Sequence, residues 1–142
     1  MTVALKRVYA KPSPQDGARV LVDRLWPRGL KKSDAALDAW LKDLAPSNEL
    51  RKWFHAHPQQ WGKFREKYLK ELTTEGANAE LQQLYDLQRK RRRLTLLFAS
   101  RTEERNNAVV LKQLLEGEPK PPTGTGLIRA IAAKRGRAAR PR

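Results

Sequence analysis

The sequence contains no cysteine, and this single absence excludes several kinds of site. Disulfide bonds, thiolate nucleophiles, cysteine-ligated zinc and iron–sulfur clusters all require that residue. Long apolar runs are missing as well. The first residues, MTVALKRVYAKPSP, lack the apolar stretch of a signal peptide, and no segment has the roughly 20 apolar residues of a membrane span. We therefore expect a soluble, cytoplasmic protein that does not enter a membrane.

Familiar catalytic motifs are also absent. The chain has no GxSxG nucleophile elbow, no Walker A loop and no GxGxxG dinucleotide motif. The two histidines, His55 and His57, have no obvious third ligand, so we expect no metal site and no cofactor. The common signatures of hydrolases, P-loop NTPases and dinucleotide-dependent enzymes are therefore missing.

Acidic residues are scarce relative to basic ones. Fifteen Asp and Glu stand against 30 Lys and Arg, which gives a formal net charge of +15 and a pI near 10.7. Residues 117–142 hold seven basic residues and one acid, a net +6, whereas residues 1–116 hold 23 basic and 14 acidic residues, a net +9. A surplus of this size points to nucleic acid, another polyanion or a small anionic ligand as the partner.

The length of 142 residues fits one domain, and the composition changes near Gly117. The cluster GEPKPPTGTG cannot continue a helix or strand, and the segment after it has too few large apolar residues to offset the entropy of ordering. We predict an α/β domain over residues 1–116 and a disordered basic tail over residues 117–142.

Three short runs rich in β-branched and aliphatic residues predict strands. They lie at residues 3–9, 19–23 and 94–99, and turn residues separate the first two. Helical patterns fill the space between the second and third runs and follow the third. This order predicts an α/β fold in which a small, largely parallel three-stranded sheet is packed with helices.

Capping residues suggest where the helices begin and end. Ser47 is a candidate N-cap, Pro58 is predicted to start a second helix, and Gly76 is predicted to end it. A further helix is expected over about residues 77–90, and a last one follows Asn106.

Charged residues follow two of the predicted strands, and parallel strands end at one edge of a sheet, where α/β proteins bind ligands. The segment DRLWPRGLKK follows the second strand, and SRTEERNN follows the third, just before a helix whose first amides favour an anion. Asp23 is a candidate base or nucleophile there, although an ordinary ion pair with an arginine would equally explain it. The predicted phosphate or carboxylate site comprises Arg24, Arg28, Ser100, Arg101 and Asn106.

A second set of residues points to nucleic acid, because basic grooves with exposed aromatic rings bind strands by charge neutralisation and stacking. Trp26 and Trp40 lie in predicted loops and are better placed for contact than the tryptophans with helical spacing, which indicates a core. The candidates for nucleic-acid contact are Trp26, Lys31, Lys32, Arg91 and Arg92 in the domain, with Arg135 and Arg137 in the tail.

The motifs VDRLWPRG, LAPS and NNAVVLK occur in this order within residues 3–116. In that arrangement the sequence resembles the YeaO-like family of bacterial domains of unknown function, number 488 in that series. The resemblance implies a cytosolic α/β protein with no established activity. That family usually has Asn-His-Ala before the last helix, whereas this chain has Asn106, Asn107 and Ala108. A catalytic role for that imidazole therefore does not transfer to this chain.

Three functions remain open at this point. The first is nucleic-acid binding by the domain and tail. The second is hydrolysis or group transfer at a phosphate or glycosidic bond, with Asp23 as base or nucleophile and arginines stabilising developing charge. The third is docking of the tail on an acidic partner or ribosomal RNA. The visible charge favours the first.

Overall fold

The structure, a computed structural model, describes residues 2–117, in which four parallel strands form one sheet. The strand order is β1-β4-β2-β3, so β4, the last strand in sequence, lies between the first two. Since every pairing is parallel, all four strands end at the same edge, called here the carboxyl edge; the opposite one is the amino edge. The strands are β1 (Thr2–Arg7), β2 (Ala18–Leu21), β3 (Ala39–Trp40) and β4 (Arg93–Phe98).

The prediction of three strands was wrong by one. β3 has only two residues, which pair with Val20 and Leu21 of β2. A strand of that length cannot show the alternation of apolar and polar residues by which strands are recognised in a sequence. Trp40 was expected in a loop, but it is the second residue of β3 and therefore belongs to the sheet.

Five α-helices accompany the sheet within the described residues. Ser47 caps α2 as predicted, because its Oγ accepts a hydrogen bond from the Leu50 amide at 3.1 Å. No helix within residues 2–117 is long and apolar enough to span a bilayer. The helices are α1 (Lys32–Ala35), α2 (Asn48–Ala56), α3 (Trp61–Glu71), α4 (Glu75–Lys90) and α5 (Asn107–Gly117).

Two predicted helix ends were wrong. The second long helix begins at Trp61 rather than Pro58, and Gly76 lies inside the first turn of α4 rather than ending α3. The end of α3 is set by Thr73 and Thr74, whose hydroxyls donate to the carbonyls of Lys70 and Glu71 at 2.6 and 2.7 Å. These side-chain bonds satisfy carbonyls that the next helical turn would otherwise use.

The two faces of the sheet are covered differently. Alternate strand residues such as Val20, Leu96 and Phe98 belong to the main core, which includes buried side chains from α2 to α5. On the other face, Leu21 and Leu97 form a small cluster under the segment 22–40, which returns the chain from the end of β2 to β3. Alternation of side chains along each strand produces this division.

A buried ionic cluster occupies the second face near the amino edge. Asp16 and Arg19 are 7% and 4% exposed, and a carboxylate oxygen of Asp16 lies 2.5 Å from Nη1 of Arg19 and 3.1 Å from Nζ of Lys6. Burial opposes ionisation of Asp16, but hydrogen bonds from the Ser13 amide, Lys6 and Arg19 outweigh it and lower its pKa. The charges of this cluster are paired inside the fold.

Gly117 is the last residue of α5, and the rest of the tail, residues 118–142, lies outside the described residues. The predicted boundary near Gly117, the predicted disorder of residues 117–142 and the contacts proposed for Arg135 and Arg137 therefore stay predictions. The cytoplasmic location does too.

Candidate functional site

The predicted site is at the carboxyl edge, between the ends of β2 and β4. The chain leaves β2 toward the second face, where Trp26 and Leu30 pack, and leaves β4 toward the main core, which α5 helps to form. Open α/β sheets usually bind ligands between adjacent strands whose connections depart to opposite faces. Asp23 follows β2, and Ala99 follows β4, so both lie at this position of the edge.

Asp23 is held there by neutral donors. One carboxylate oxygen accepts from the Ala99 amide at 2.8 Å, and the other accepts from Nδ2 of Asn107 at 3.3 Å. Burial raises the pKa of Asp23, and these two hydrogen bonds offset the effect only in part. Within residues 2–117 no ion pair involves Asp23, so the alternative of an arginine pairing does not describe it.

Asn107 occupies the position at which the resembled family usually has histidine. Its Nδ2 donates to the Val22 carbonyl at 2.8 Å as well as to Asp23. A carboxamide can orient a carboxylate in this way, but it does not take up or release a proton near neutral pH. The pair Asp23–Asn107 therefore lacks the proton-transfer chemistry that an Asp–His pair would have.

Arg24, the residue after Asp23, lines a cavity of about 260 Å³. Its Nη2 donates to the Ala45 carbonyl at 3.1 Å, and its Nη1 lies 3.8 Å from the Asp43 carboxylate. Its buried Nε has no hydrogen-bond partner among residues 2–117. Two carboxylates line the cavity with this one arginine, so the cavity does not have the positive excess of an anion site. The lining residues are Arg24, Asp43, Ala45, Ser47, Tyr68, Glu71, Leu72, Thr74 and Ala77.

The polar groups of this cavity are largely engaged with one another. The amide and hydroxyl of Ser47 donate to the two Glu71 oxygens at 2.8 and 2.6 Å. The buried Tyr68 hydroxyl donates to the Leu44 carbonyl, and burial raises the pKa of Tyr68 well above its usual value. These contacts connect the start of α2 to the end of α3.

Two further residues of the predicted site, Asn106 and Ser100, form hydrogen bonds close to themselves in the chain. Asn106 is 5% exposed; its Oδ1 accepts from the Val109 amide at 3.1 Å and its Nδ2 donates to the Thr102 carbonyl at 2.7 Å. The Oγ of Ser100 accepts from the Thr102 amide at 3.1 Å. Asn106 therefore satisfies an amide in the first turn of α5 that an anion would otherwise bind.

Arg28 and Arg101 are exposed, and neither guanidinium forms an ion pair within residues 2–117. The structure thus brings Asp23, Arg24, Arg28, Ser100, Arg101 and Asn106 to one edge, as the sequence indicated. It does not gather them around one point, because Arg24 turns into the cavity and Asn106 caps its helix.

The candidates for nucleic-acid contact are divided between the two edges. Trp26 is half-buried at the carboxyl edge; its indole N–H donates to the Leu30 carbonyl at 2.6 Å, and its ring meets Trp40 edge-on at 5.3 Å. Lys31 and Lys32 are exposed at the start of α1. Arg91 and Arg92 are exposed just before β4 at the amino edge, where Arg91 lies 3.9 Å from the Asp38 carboxylate.

Sequence reasoning missed two exposed apolar residues at the carboxyl edge. Tyr9, after β1, is 43% exposed, and Leu25, after β2, is 67% exposed. The first predicted strand, residues 3–9, includes Tyr9, whereas β1 ends at Arg7. A parallel arrangement of β1 with the other strands places Tyr9 at the same edge as Asp23, which is the signal that could have identified it.

Comparisons with known proteins give a consistent family match. The family model DUF488-N3i, described as the inactive DUF488-N3 subclade, matches residues 2–124. The uncharacterised protein YeaO of Escherichia coli K12 is 46% identical over 115 residues, which cover 81% of this chain and 97% of that protein. The uncharacterised protein Rv3073c of Mycobacterium tuberculosis H37Rv is 44% identical over 115 residues, covering 81% and 94% respectively. No solved structure gives a significant match.

Proposed function

This chain belongs to the YeaO-like DUF488 family, within the subclade described as inactive, and from that premise we propose that it is a non-catalytic nucleic-acid-binding protein. The proposed contact surface is the carboxyl edge, with Arg28 and Lys31 as its exposed cations and Arg101 beside them. The basic tail adds charge to the same complex.

The observation that carries this proposal is the surplus of exposed positive charge. Residues 24–33 contain Arg24, Arg28, Lys31 and Lys32 and no acid. The last three are exposed, and none of them forms an ion pair within residues 2–117. Cations without internal partners are free to neutralise phosphates and release counterions, which is the main source of affinity for nucleic acid.

The surroundings of Asp23 support the proposal that the protein is non-catalytic. Both of its oxygens accept hydrogen bonds from the protein, and its neighbour is Asn107 rather than histidine. A carboxylate used as base or nucleophile needs an oxygen within reach of substrate. The description of the matched subclade as inactive agrees with this arrangement.

The test is a salt titration of binding by fluorescence anisotropy, with labelled single-stranded RNA, single-stranded DNA and duplex DNA. For the full-length double variant Arg28→Gln/Lys31→Gln, we expect weaker binding to single strands. The slope of log affinity against log salt should flatten by about 1.4, since each phosphate contact contributes about 0.7 on single strands.

The matched control is Lys90→Gln/Arg92→Gln, which removes the same charge from the exposed amino edge. We expect this control to reduce affinity less than the carboxyl-edge variant does. A third variant, Arg135→Gln/Arg137→Gln, measures the contribution of the tail to the affinity. Equal losses for both edge variants would mean that binding follows net charge alone. Binding that disappears only with the tail variant would contradict a role for the domain.

A second candidate, a small hydrolase or transferase, is favoured by the raised pKa of Asp23 beside a cavity that contains Arg24. Its test is hydrolysis of p-nitrophenyl phosphate and of a p-nitrophenyl glycoside. Wild-type turnover that Asp23→Asn abolishes would support this candidate against the binding proposal. If wild type turns over no faster than Asp23→Asn, binding is the better explanation.

A further inference from the structure

Tyr9 is an exposed aromatic ring held firmly in place. Its hydroxyl donates to the Arg28 carbonyl at 3.0 Å, and the guanidinium of Arg7 lies over its ring, 5.2 Å from the centroid. Arg7 is itself fixed, because its guanidinium donates to the carbonyls of Ala99 and Ser100 at 2.9 and 3.1 Å. The ring nevertheless remains 43% exposed.

Such a ring is suited to binding, because its ordering cost has already been met in folding. Immobilising a flexible side chain on association costs conformational entropy, and a side chain already held by two contacts avoids most of that cost. The half-buried Trp26 and Trp40 pack against each other on the second face and are less available. Tyr9 is therefore the better aromatic platform at this edge.

The charge around Tyr9 indicates what kind of molecule would meet it. The hydrogen bond from Tyr9 to Arg28 joins two segments, residues 2–15 and 24–33, neither of which contains an acidic residue. Lys11, two residues after Tyr9, is exposed, as is Arg28. A planar apolar group with phosphates alongside, as in a nucleotide with an unpaired base, complements an aromatic ring flanked by cations.

We propose that Tyr9 is a stacking platform for an unpaired base, so that the carboxyl edge binds single-stranded rather than duplex nucleic acid. This inference rests on the proposed function and names its substrate class. Arg28 and Lys11 contact the phosphates on either side of the stacked base. In a duplex the bases are already stacked on one another, so the ring gains nothing from it.

The experiment compares two labelled single strands of equal length, one of mixed sequence and one whose residues are all abasic. The two strands carry the same phosphates and differ only in bases. The wild-type full-length protein should bind the base-containing strand about 5-fold to 150-fold more tightly, the range that corresponds to about 1–3 kcal/mol per stacked base.

Variants of Tyr9 assign this preference to the ring. Tyr9→Leu keeps an apolar side chain but removes the aromatic face, so it should bind both strands equally, with the salt slope of wild type. Tyr9→Phe keeps the face, loses only the hydroxyl bond to Arg28, and should retain most of the preference. Leu25→Ala, at the second large apolar residue that is exposed among residues 2–117, is the control and should leave the preference unchanged.

Each contrary outcome has a distinct meaning. If Tyr9→Leu still prefers the base-containing strand, the stacking inference is wrong while the binding proposal stands. If wild type binds both strands equally, recognition is by charge alone and the inference is again overturned. The same conclusion follows if poly-glutamate of matched charge displaces the base-containing strand as readily as the abasic strand. If neither strand binds at low salt, the proposed function itself fails.

Discussion

At the amino edge of the sheet Asp16 is buried between two cations, whereas at the carboxyl edge Asp23 is partly buried and, within residues 2–117, accepts hydrogen bonds from neutral donors only. Their pKa values accordingly move in opposite directions, downward for Asp16 and upward for Asp23. The amino-edge cluster stabilises the fold through internal pairing. Within residues 2–117, the carboxyl edge retains a buried Arg24 Nε without a hydrogen-bond partner and the exposed ring of Tyr9, so its groups are less fully paired than those of the amino-edge cluster.

The same contrast appears in two glycines with positive φ. Gly17, at the amino edge, has φ of 65°, and a Cβ there would lie 2.2 Å from the Arg93 carbonyl oxygen. Gly29, near the carboxyl edge, has φ of 76°, and a Cβ there would meet no atom of residues 2–117 within 4 Å. Backbone packing therefore leaves no room for a side chain at Gly17, whereas there is room for one at Gly29.

The largest expected effect is that of Asp16→Asn, which leaves the buried Arg19 cation without its anion. Breaking a buried ion pair by removing one partner costs about 3–5 kcal/mol, so we expect a loss of that order in the free energy of unfolding. Asp23→Asn should change it by no more than about 1 kcal/mol, because the amide oxygen can still accept from Ala99 and only the longer bond from Asn107 is lost. Urea denaturation of the two variants measures the difference, and similar losses would remove the contrast between the edges.

The next effect is that of alanine at the two glycines. Gly17→Ala combines an unfavourable φ with a clash against backbone, and we expect a loss of about 2–4 kcal/mol. Gly29→Ala introduces only the strain of a left-handed backbone conformation, so we expect a smaller loss in the free energy of unfolding, about 1–2 kcal/mol. Thermal denaturation of both variants tests this, and a Gly29→Ala variant less stable than Gly17→Ala would show that the loop after β2 is the tighter of the two.

The smallest effects concern pH. Since the folded pKa of Asp16 is lowered, its stabilisation is complete above the unfolded value of about 4 and is lost as pH falls through the folded value. Since the folded pKa of Asp23 is raised, the folded state binds that proton more tightly, and stability falls as pH rises from about 4 through the folded value. Asp23→Asn should therefore gain stability relative to wild type as pH rises across this window.

Denaturation series between pH 3 and pH 8 on wild type, Asp16→Asn and Asp23→Asn would measure these trends. Asp16→Asn should lose part of the acid sensitivity of the wild type. A pH profile of Asp23→Asn parallel to that of wild type would mean that Asp23 titrates normally in the folded protein.

Much of the fold was predictable from local sequence. The strands β1, β2 and β4 are runs of β-branched and aliphatic residues, and Ser47 is an N-cap of the expected kind. β3 was not predictable, because a two-residue strand forms through its partner β2 rather than through its own pattern. Family membership, also inferred from motifs, was confirmed.

The candidate site was predictable in place but not in arrangement. Parallel strands dictate that residues after β2 and β4 share an edge, and Asp23 and Arg101 do so. The direction of each side chain depends on distant residues. The Arg24 side chain is oriented by its hydrogen bond to the Ala45 carbonyl, and the Tyr9 side chain by its hydrogen bond to the Arg28 carbonyl. Such contacts between distant parts of the chain leave no local trace in the sequence.

The most direct test of the account is a hydrogen–deuterium exchange footprint of the full-length protein with and without a saturating single-stranded oligonucleotide. If the carboxyl edge is the binding surface, peptides spanning residues 8–11, 24–32 and 99–106 should exchange more slowly in the complex, while residues 12–19 and 89–93 should change little. Protection confined to residues 89–93 or to the tail would contradict that claim, because binding would then occur away from the edge where Asp23, Arg28 and Tyr9 lie.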